Sequence, residues 1–305
     1  MNFADRLDAA TRRVDNACLV GIDPHPELLP EAFAGVRDPE LPRAERARLL
    51  GDFACELVEL VAGRVPAVKP QSAFFELFGA EGVQAWERTV SAARAAGLLV
   101  IGDVKRGDIA STAAAYAAAF LDPAVTPAPC DAVTLSPFLG ADSISPFLAA
   151  CAEHGAGIYV LVRTSNPGSA DFQRHGDPEL SFRIADAVAG WGSARPELLG
   201  DCGLSSVGAV VGATHADELR AFRARLPRAP LLLPGFGAQG AGPSDVVDAF
   251  LGREPRGALV NSSRGIGFAY REQRHAGRDW KDAASAALDE MIASIRAALK
   301  GRGPS

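Results

Sequence analysis

Apolar residues in this chain gather into short, nearly unbroken runs, each followed by a longer stretch in which they recur every three or four positions. The runs are CLVGID (18–23), AVKPQS (67–72), LLVIGDVK (98–105), DAVTLSP (131–137), GIYVLVRTS (157–165), VGAVVGAT (207–214), PLLLPGFG (230–237) and GALVNSS (257–263). Strands that are apolar on both faces belong in a parallel sheet covered on both sides. The stretches between them predict helices at roughly 41–63, 74–96, 110–121, 143–154, 178–190, 215–226, 243–251 and 280–299, and one more at 3–16 is placed to cap a barrel floor. Eight strand-then-helix units predict an α/β fold, a (β/α)8 TIM barrel that takes up residues 1–305 as a single domain. Pro243 suits a first helical turn and Gly97 a helix end. The segments 24–40, 122–130, 166–177 and 266–279 carry neither period and are predicted loops on the barrel.

Composition narrows the function. A formal charge of −6 argues against a nucleic-acid partner, which calls for a concentrated basic face. The first residues mix acids with arginines, and no apolar run approaches the ~18 residues of a membrane span, so a soluble, cytoplasmic protein is expected. Cys18, Cys55, Cys130, Cys151 and Cys202 are scattered and read as small buried apolar residues. His25, His154, His175, His215 and His275 show no ligand spacing, so no metal site is expected. The lysines say more. Of the 31 basic residues only Lys69, Lys105, Lys281 and Lys300 are lysine, and the first two lie inside strand-like runs. A chain that otherwise uses arginine has reason to keep a compact, tunable ammonium there.

The segment GDVKRGDIAST places Asp103 and Lys105 two apart at a strand end, on one face and aimed into the barrel mouth. Asp108 follows a turn eased by Gly107, so a second carboxylate can return toward the same space. A strand-end ion pair with a helix-capping acid would read the same way locally, but active sites of this fold sit at strand C-termini. Asp23 in GIDPHP could accept a hydrogen bond from a ligand hydroxyl or simply form the turn before Pro24. After the seventh and eighth strands come PGFGAQGAG and NSSRGIG, where this fold often holds a phosphate against glycine amides, with Arg264 as a bidentate clamp. Gly235, Gly237 and Gly240 also spell GxGxxG, but the motif comes late and the next strand ends at Asn261, where a dinucleotide fold would place an acid.

VKPQSAFFE, DVKRGDI, PGFGAQG and the arginine of the last strand loop, in that order, resemble the orotidine 5′-phosphate decarboxylase family. The wording of GIDPHPELLP, VTLSPFLG and VRTSNPGS is closest to its longer type 2, or mycobacterial, branch. The resemblance implies decarboxylation of orotidine 5′-monophosphate to uridine 5′-monophosphate without a cofactor or metal. It implies a charge network of Lys69, Asp103, Lys105 and Asp108, with Lys105 as proton donor and Asp103 beside the substrate carboxylate. It further implies a homodimer in which Asp108, Ile109 and Thr112 reach the neighbouring subunit's site. Asp23 would bind the ribose, Ser165 the pyrimidine, and Gly235, Gly237, Gln239 and Arg264 the phosphate, with Gln239 on a closing loop. The family more often has proline after the isoleucine, where this chain has Ala110. Magnesium-dependent sugar-phosphate decarboxylases and aldolases of the same superfamily share the DxKxxD core but tend to carry an acid where this chain has Lys69. A non-catalytic phosphate-ligand binder is the remaining alternative, one that would have no need of the charged network.

Overall fold

Strand β1 (Cys18–Ile22) pairs in parallel with β2 (Ala67–Pro70) on one side and β8 (Ala258–Ser262) on the other, and this second pairing closes the sheet into a ring. Between them β3 (Leu99–Arg106), β4 (Ala132–Leu135), β5 (Gly157–Arg163), β6 (Val207–Val211) and β7 (Leu231–Leu233) follow in chain order, so the architecture is the closed eight-stranded parallel barrel expected from the sequence. This computed structural model describes residues 1–212, 216–237 and 242–301. Helices α1 (Phe3–Val14), α2 (Arg43–Val61), α3 (Ser72–Glu76), α4 (Gly79–Ala95), α5 (Ala110–Leu121), α6 (Ala141–His154), α7 (Ala170–Gln173), α8 (Leu180–Ser193), α9 (Ala216–Arg225), α10 (Pro243–Val246), α11 (Arg264–Gly267) and α12 (Trp280–Gly301) surround or link the strands. Among the described residues, no helix is long and apolar enough to cross a membrane.

The strands are apolar throughout because both of their faces are covered. One parity of residues, such as Val20, Val68, Val100, Val133 and Val260, packs outward in the main core shared with the helices. The other parity fills the barrel: Leu19, Ala67, Ile101, Ala132, Tyr159, Val210, Leu232 and Leu259, one from each strand, form a separate inner cluster. Phe3 and Leu7 of α1 join this cluster, and Phe3 meets Tyr159 edge-on with ring centroids 6.0 Å apart. The extra N-terminal helix is therefore a floor plug, as its position suggested. Gly157 makes room for it, since a Cβ there would collide with the Phe3 ring. Charges fix the plug in place: Arg6 bonds the buried Asp131, Asp8 accepts from Arg256 at 2.7 Å, and Asp5 accepts from the Cys202 amide at 2.9 Å.

Several predicted elements differ in detail. The helix expected over 74–96 is two, α3 and α4, broken where Gly79 takes a φ of +59°. The helix expected over 243–251 is a single turn, α10, that tightens into a 3-10 turn at Val247–Ala249. The loops at 24–40 and 266–279 carry 3-10 turns, Pro26–Leu28 and Glu31–Arg37 in the first, Ala269–Arg271 and Gln273–His275 in the second.

Candidate active site

The parity that places apolar side chains at the barrel floor delivers polar ones two and four residues further along, at the strand C-termini. Ala67 is followed inward by Lys69 and Gln71, Ile101 by Asp103, Ala132 by Thr134, Leu19 by Gly21 and Asp23, and Leu259 by Asn261. Lys69, Asp103, Thr134, Asp23 and Asn261 open on a cavity of about 460 Å³ that also takes in Thr164, Ser165 and Asn166 after β5, Gly235 and Phe236 after β7, and Arg264 at the start of α11.

Asp103 is the hub. Its Oδ2 accepts from Lys69 Nζ at 2.5 Å and Gln71 Nε2 at 2.9 Å; its Oδ1 accepts from Lys105 Nζ at 2.5 Å and Thr134 Oγ1 at 2.9 Å. Burial by itself would raise the Asp103 carboxyl, but the adjacent ammonium groups of Lys69 and Lys105, with the hydrogen bonds they donate, hold it far below the usual carboxylate range. Lys69 is buried, which alone would lower its pKa; Asp103 and, behind it, Asp23 outweigh that and leave it raised. The side chains of Lys69 and Asp103 are 6% and 8% exposed and that of Lys105 is 46% exposed, so only Lys105 combines this pairing with open access to the cavity.

Lys105 does not arrive there by simple alternation. Gly102 pairs with Val133 but Arg106 pairs with Leu135, so four steps on β3 oppose two on β4, a bulge. Lys105 takes a φ of +44°, and the amides of Val104 and Lys105 both donate to Thr134 Oγ1 at 3.0 Å. The sequence placed Asp103 and Lys105 together correctly; the backbone that does so is left-handed at the lysine.

Asp23 lines the cavity with an Oδ1 that is buried and has no partner among the described residues, as does Asn261 Oδ1. Arg264, just past the neighbouring strand β8, lines the same cavity, and burial together with its charge keeps the nearby His25 imidazole below its ordinary pKa. Ser165 and Gly235 line the same space, Gly235 with a φ of +98°. Gly237 faces an adjoining cavity, lined also by Gly242 and Glu272. Gln239 lies outside the described residues.

The expectation that Asp108 returns to this space within one chain is not met. Asp108 is not among the lining residues, and its Oδ1 accepts from the next amide, Ile109 N, at 2.8 Å. Ile109 is 51% exposed and Thr112 is exposed, both turned outward at the start of α5. Ala110, at the position where the family resemblance expects proline, has a φ of +48° that a proline ring could not adopt.

Comparison with known proteins shows the family. The profile of the Orotidine 5′-phosphate decarboxylase / HUMPS family matches residues 19–280. The chain belongs to that family. An orotidine 5′-phosphate decarboxylase of Rhodopirellula baltica is 43% identical over 97% of this chain and 99% of its own length; that of Deinococcus radiodurans is 44% identical over 85% and 90%. Among solved structures, a Streptomyces avermitilis protein provisionally assigned the same activity has a TM-score of 0.78 at 37% identity, covering 98% of this chain and 96% of its own. The Leishmania donovani OMP decarboxylase has a TM-score of 0.73 at 31% identity, covering 99% and 100%.

Thr134 and Asn261 line this cavity and Gln71 bonds Asp103 from beside it, but none of the three was singled out from the sequence. A signal was present: Gln71 lies two past Lys69, and Thr134 and Asn261 are polar intruders in apolar strands. Both Asp103 oxygens face ammonium groups, so a divalent cation placed there would meet two like charges.

Proposed function

We propose that this site decarboxylates orotidine 5′-monophosphate to uridine 5′-monophosphate and carbon dioxide, a step of pyrimidine biosynthesis, with Lys105 as the proton donor. What supports this reading most directly is the Asp103 carboxylate held between the ammonium groups of Lys69 and Lys105, in a cavity of nucleotide size that Arg264 also lines. Breaking the bond from C6 of the pyrimidine to its carboxylate leaves an electron pair in the ring plane, where the ring cannot delocalise it. The Lys105 ammonium stabilises that pair as it develops and then gives it a proton, so a C6–H bond replaces the C6–carboxylate bond. Lys105 is left neutral and recovers a proton from solvent. Asp103, flanked by cations, stays ionised beside the departing carboxylate and fixes both lysines.

In the same reading the unpartnered Asp23 oxygen accepts from a ribose hydroxyl, Ser165 contacts the pyrimidine, and Arg264 with the Gly235 segment holds the phosphate. That remote grip provides binding energy to orient the ring over Lys105. The wording of GIDPHPELLP, VTLSPFLG and VRTSNPGS supports a place in the type 2 branch of the family. The test is ultraviolet absorbance of purified protein with orotidine 5′-monophosphate in excess chelator. Loss of the orotate chromophore supports the reading; activity that requires added magnesium overturns the metal-free mechanism.

Asp108, Ile109 and Thr112 take their role from a second copy of the chain. Around them lies an apolar surface with little to do in a monomer: Phe138 is 82% exposed and Leu139 49%, and Ala114, Ala115 and Ala119 of α5 are exposed. In a two-fold dimer with shared sites, mixing the inactive Lys105→Ala and Asp108→Ala chains is expected to restore about one quarter of wild-type activity, since half the dimers are mixed and each holds one intact site. Mixtures no more active than either parent would mean that Asp108 does not act in the neighbouring subunit's site, and would overturn the shared-site reading.

A further inference from the structure

We propose that Arg106 is a positioning residue for the reaction: by tying the end of β3 to α3, it holds Lys105 in the left-handed backbone conformation that presents its ammonium to Asp103 and the cavity. This rests on the decarboxylase reading only for its kinetic consequence. A non-glycine residue at positive φ is strained and persists where its surroundings over-determine it. Lys105, at +44°, is held on one side by Thr134, whose hydroxyl takes its amide and that of Val104. On the other side stands Arg106, the residue immediately following.

The Arg106 guanidinium donates back to Val104 O at 3.1 Å and across to Glu76 Oε1 at 2.6 Å. It also lies 5.5 Å from the ring centres of Tyr116 and Phe120 in α5. The Arg106 carbonyl accepts from Ser136 N at 2.9 Å, where pairing with β4 resumes after the bulge. One side chain therefore bridges the bulge and braces it against two helices. Glu76 completes the loop: α3, which it ends, begins after Gln71, whose amide bonds Asp103 Oδ2 at 2.9 Å. The two lysines that flank Asp103 are thus held in register from outside the cavity by the Arg106 to Glu76 pair. Burial would raise the Glu76 carboxyl, but hydrogen bonds from Arg106 and Ser72 hold it lowered and ionised for this contact. A planar, forked guanidinium suits the task, because an ammonium cannot reach two acceptors and lie against two rings together.

The test compares wild type with Arg106→Ala, Arg106→Lys, Glu76→Gln and the Arg106→Ala/Glu76→Gln double variant, each normalised to sites counted by uridine 5′-monophosphate binding. Arg106→Ala is expected to lose about 10²-fold in kcat, the cost of a misplaced catalytic group, with KM for orotidine 5′-monophosphate little changed. Arg106→Lys should regain part of that loss, and the double variant should be no slower than Arg106→Ala, since both changes break one link. A kcat per site equal to wild type in Arg106→Ala, with only the thermal midpoint lowered, would reduce Arg106 to a structural brace and overturn the proposal. A crystal structure of Arg106→Ala gives a readout independent of turnover. Lys105 leaving positive φ with its Nζ parted from Asp103 supports the inference even if the wild type proves to use another substrate, and Lys105 unmoved overturns it.

Discussion

Lys105→Ala is expected to lower kcat by about 10⁴-fold or more, the combined scale of a lost general acid and a lost electrostatic donor. Affinity for uridine 5′-monophosphate should fall far less, by under about tenfold, because the product carries neither the carboxylate nor the carbanion that the ammonium serves. The asymmetry follows from the site: Lys105 is the cation of the pair around Asp103 that is open to the cavity, whereas Lys69 is enclosed. Removing Lys105 also leaves Asp103 with one ammonium beside an incoming carboxylate. Single-turnover decay of the orotate absorbance and calorimetric titration of the product separate the two quantities. Equal losses in both would make Lys105 a binding residue and refute its role as donor.

Asp103→Ala should act on stability as strongly as on turnover. It strands the buried Lys69 ammonium, and breaking a buried pair from one side typically costs about 3–5 kcal/mol. The Asp103→Ala/Lys69→Met double variant should recover most of that loss, since neither charge is then left alone. The pH dependence has a definite sign. Asp103 ionises lower when folded than an unfolded aspartate does, at about 3.9, so its stabilisation is complete above roughly pH 5 and drains as pH falls toward its folded value. Lys69 is raised when folded, so its stabilisation is complete below the unfolded lysine value of about 10.4 and fades only as pH climbs through its folded one. Denaturant unfolding from pH 3 to 8 should therefore show wild type and Asp103→Ala converging on the acid side of about pH 4 and separated by a constant margin at neutral pH. A gap that stays constant to pH 3 would mean the carboxylate was not the source of the stability.

Much of this molecule was legible in its sequence because a barrel strand obeys two simple constraints at once. It must be apolar on both faces, which marked the strand runs, and side chains of one parity must point inward, which sent Lys69 and Asp103 to one mouth. What was not legible depends on contacts between segments distant in the chain. The bulge at Lys105 is set by Thr134, about thirty residues on, and nothing in GDVKRGDI announces a left-handed lysine. Asp108 was drawn into the site by its nearness in sequence, yet the chain after Gly107 turns outward, and one chain offers no surface to bring it back. Gln71 and Asn261 were passed over because a neutral amide carries no charge to draw notice, although inward parity already placed them.

The plug formed by Phe3 and Leu7 has a consequence for traffic. With α1 seated against the inner cluster, the barrel is a cul-de-sac: its floor is filled by packed side chains and its open end is the mouth at the strand C-termini. Substrate enters by that mouth and both products leave by it. In the proposed reaction the gas is released deep, beside Asp103, with the nucleotide held nearer the rim by its phosphate, so carbon dioxide passes a seated nucleotide or waits for it to go. Departure is ordered by the doorway, and changes at the rim will be felt in turnover even where they never approach the reacting carbon.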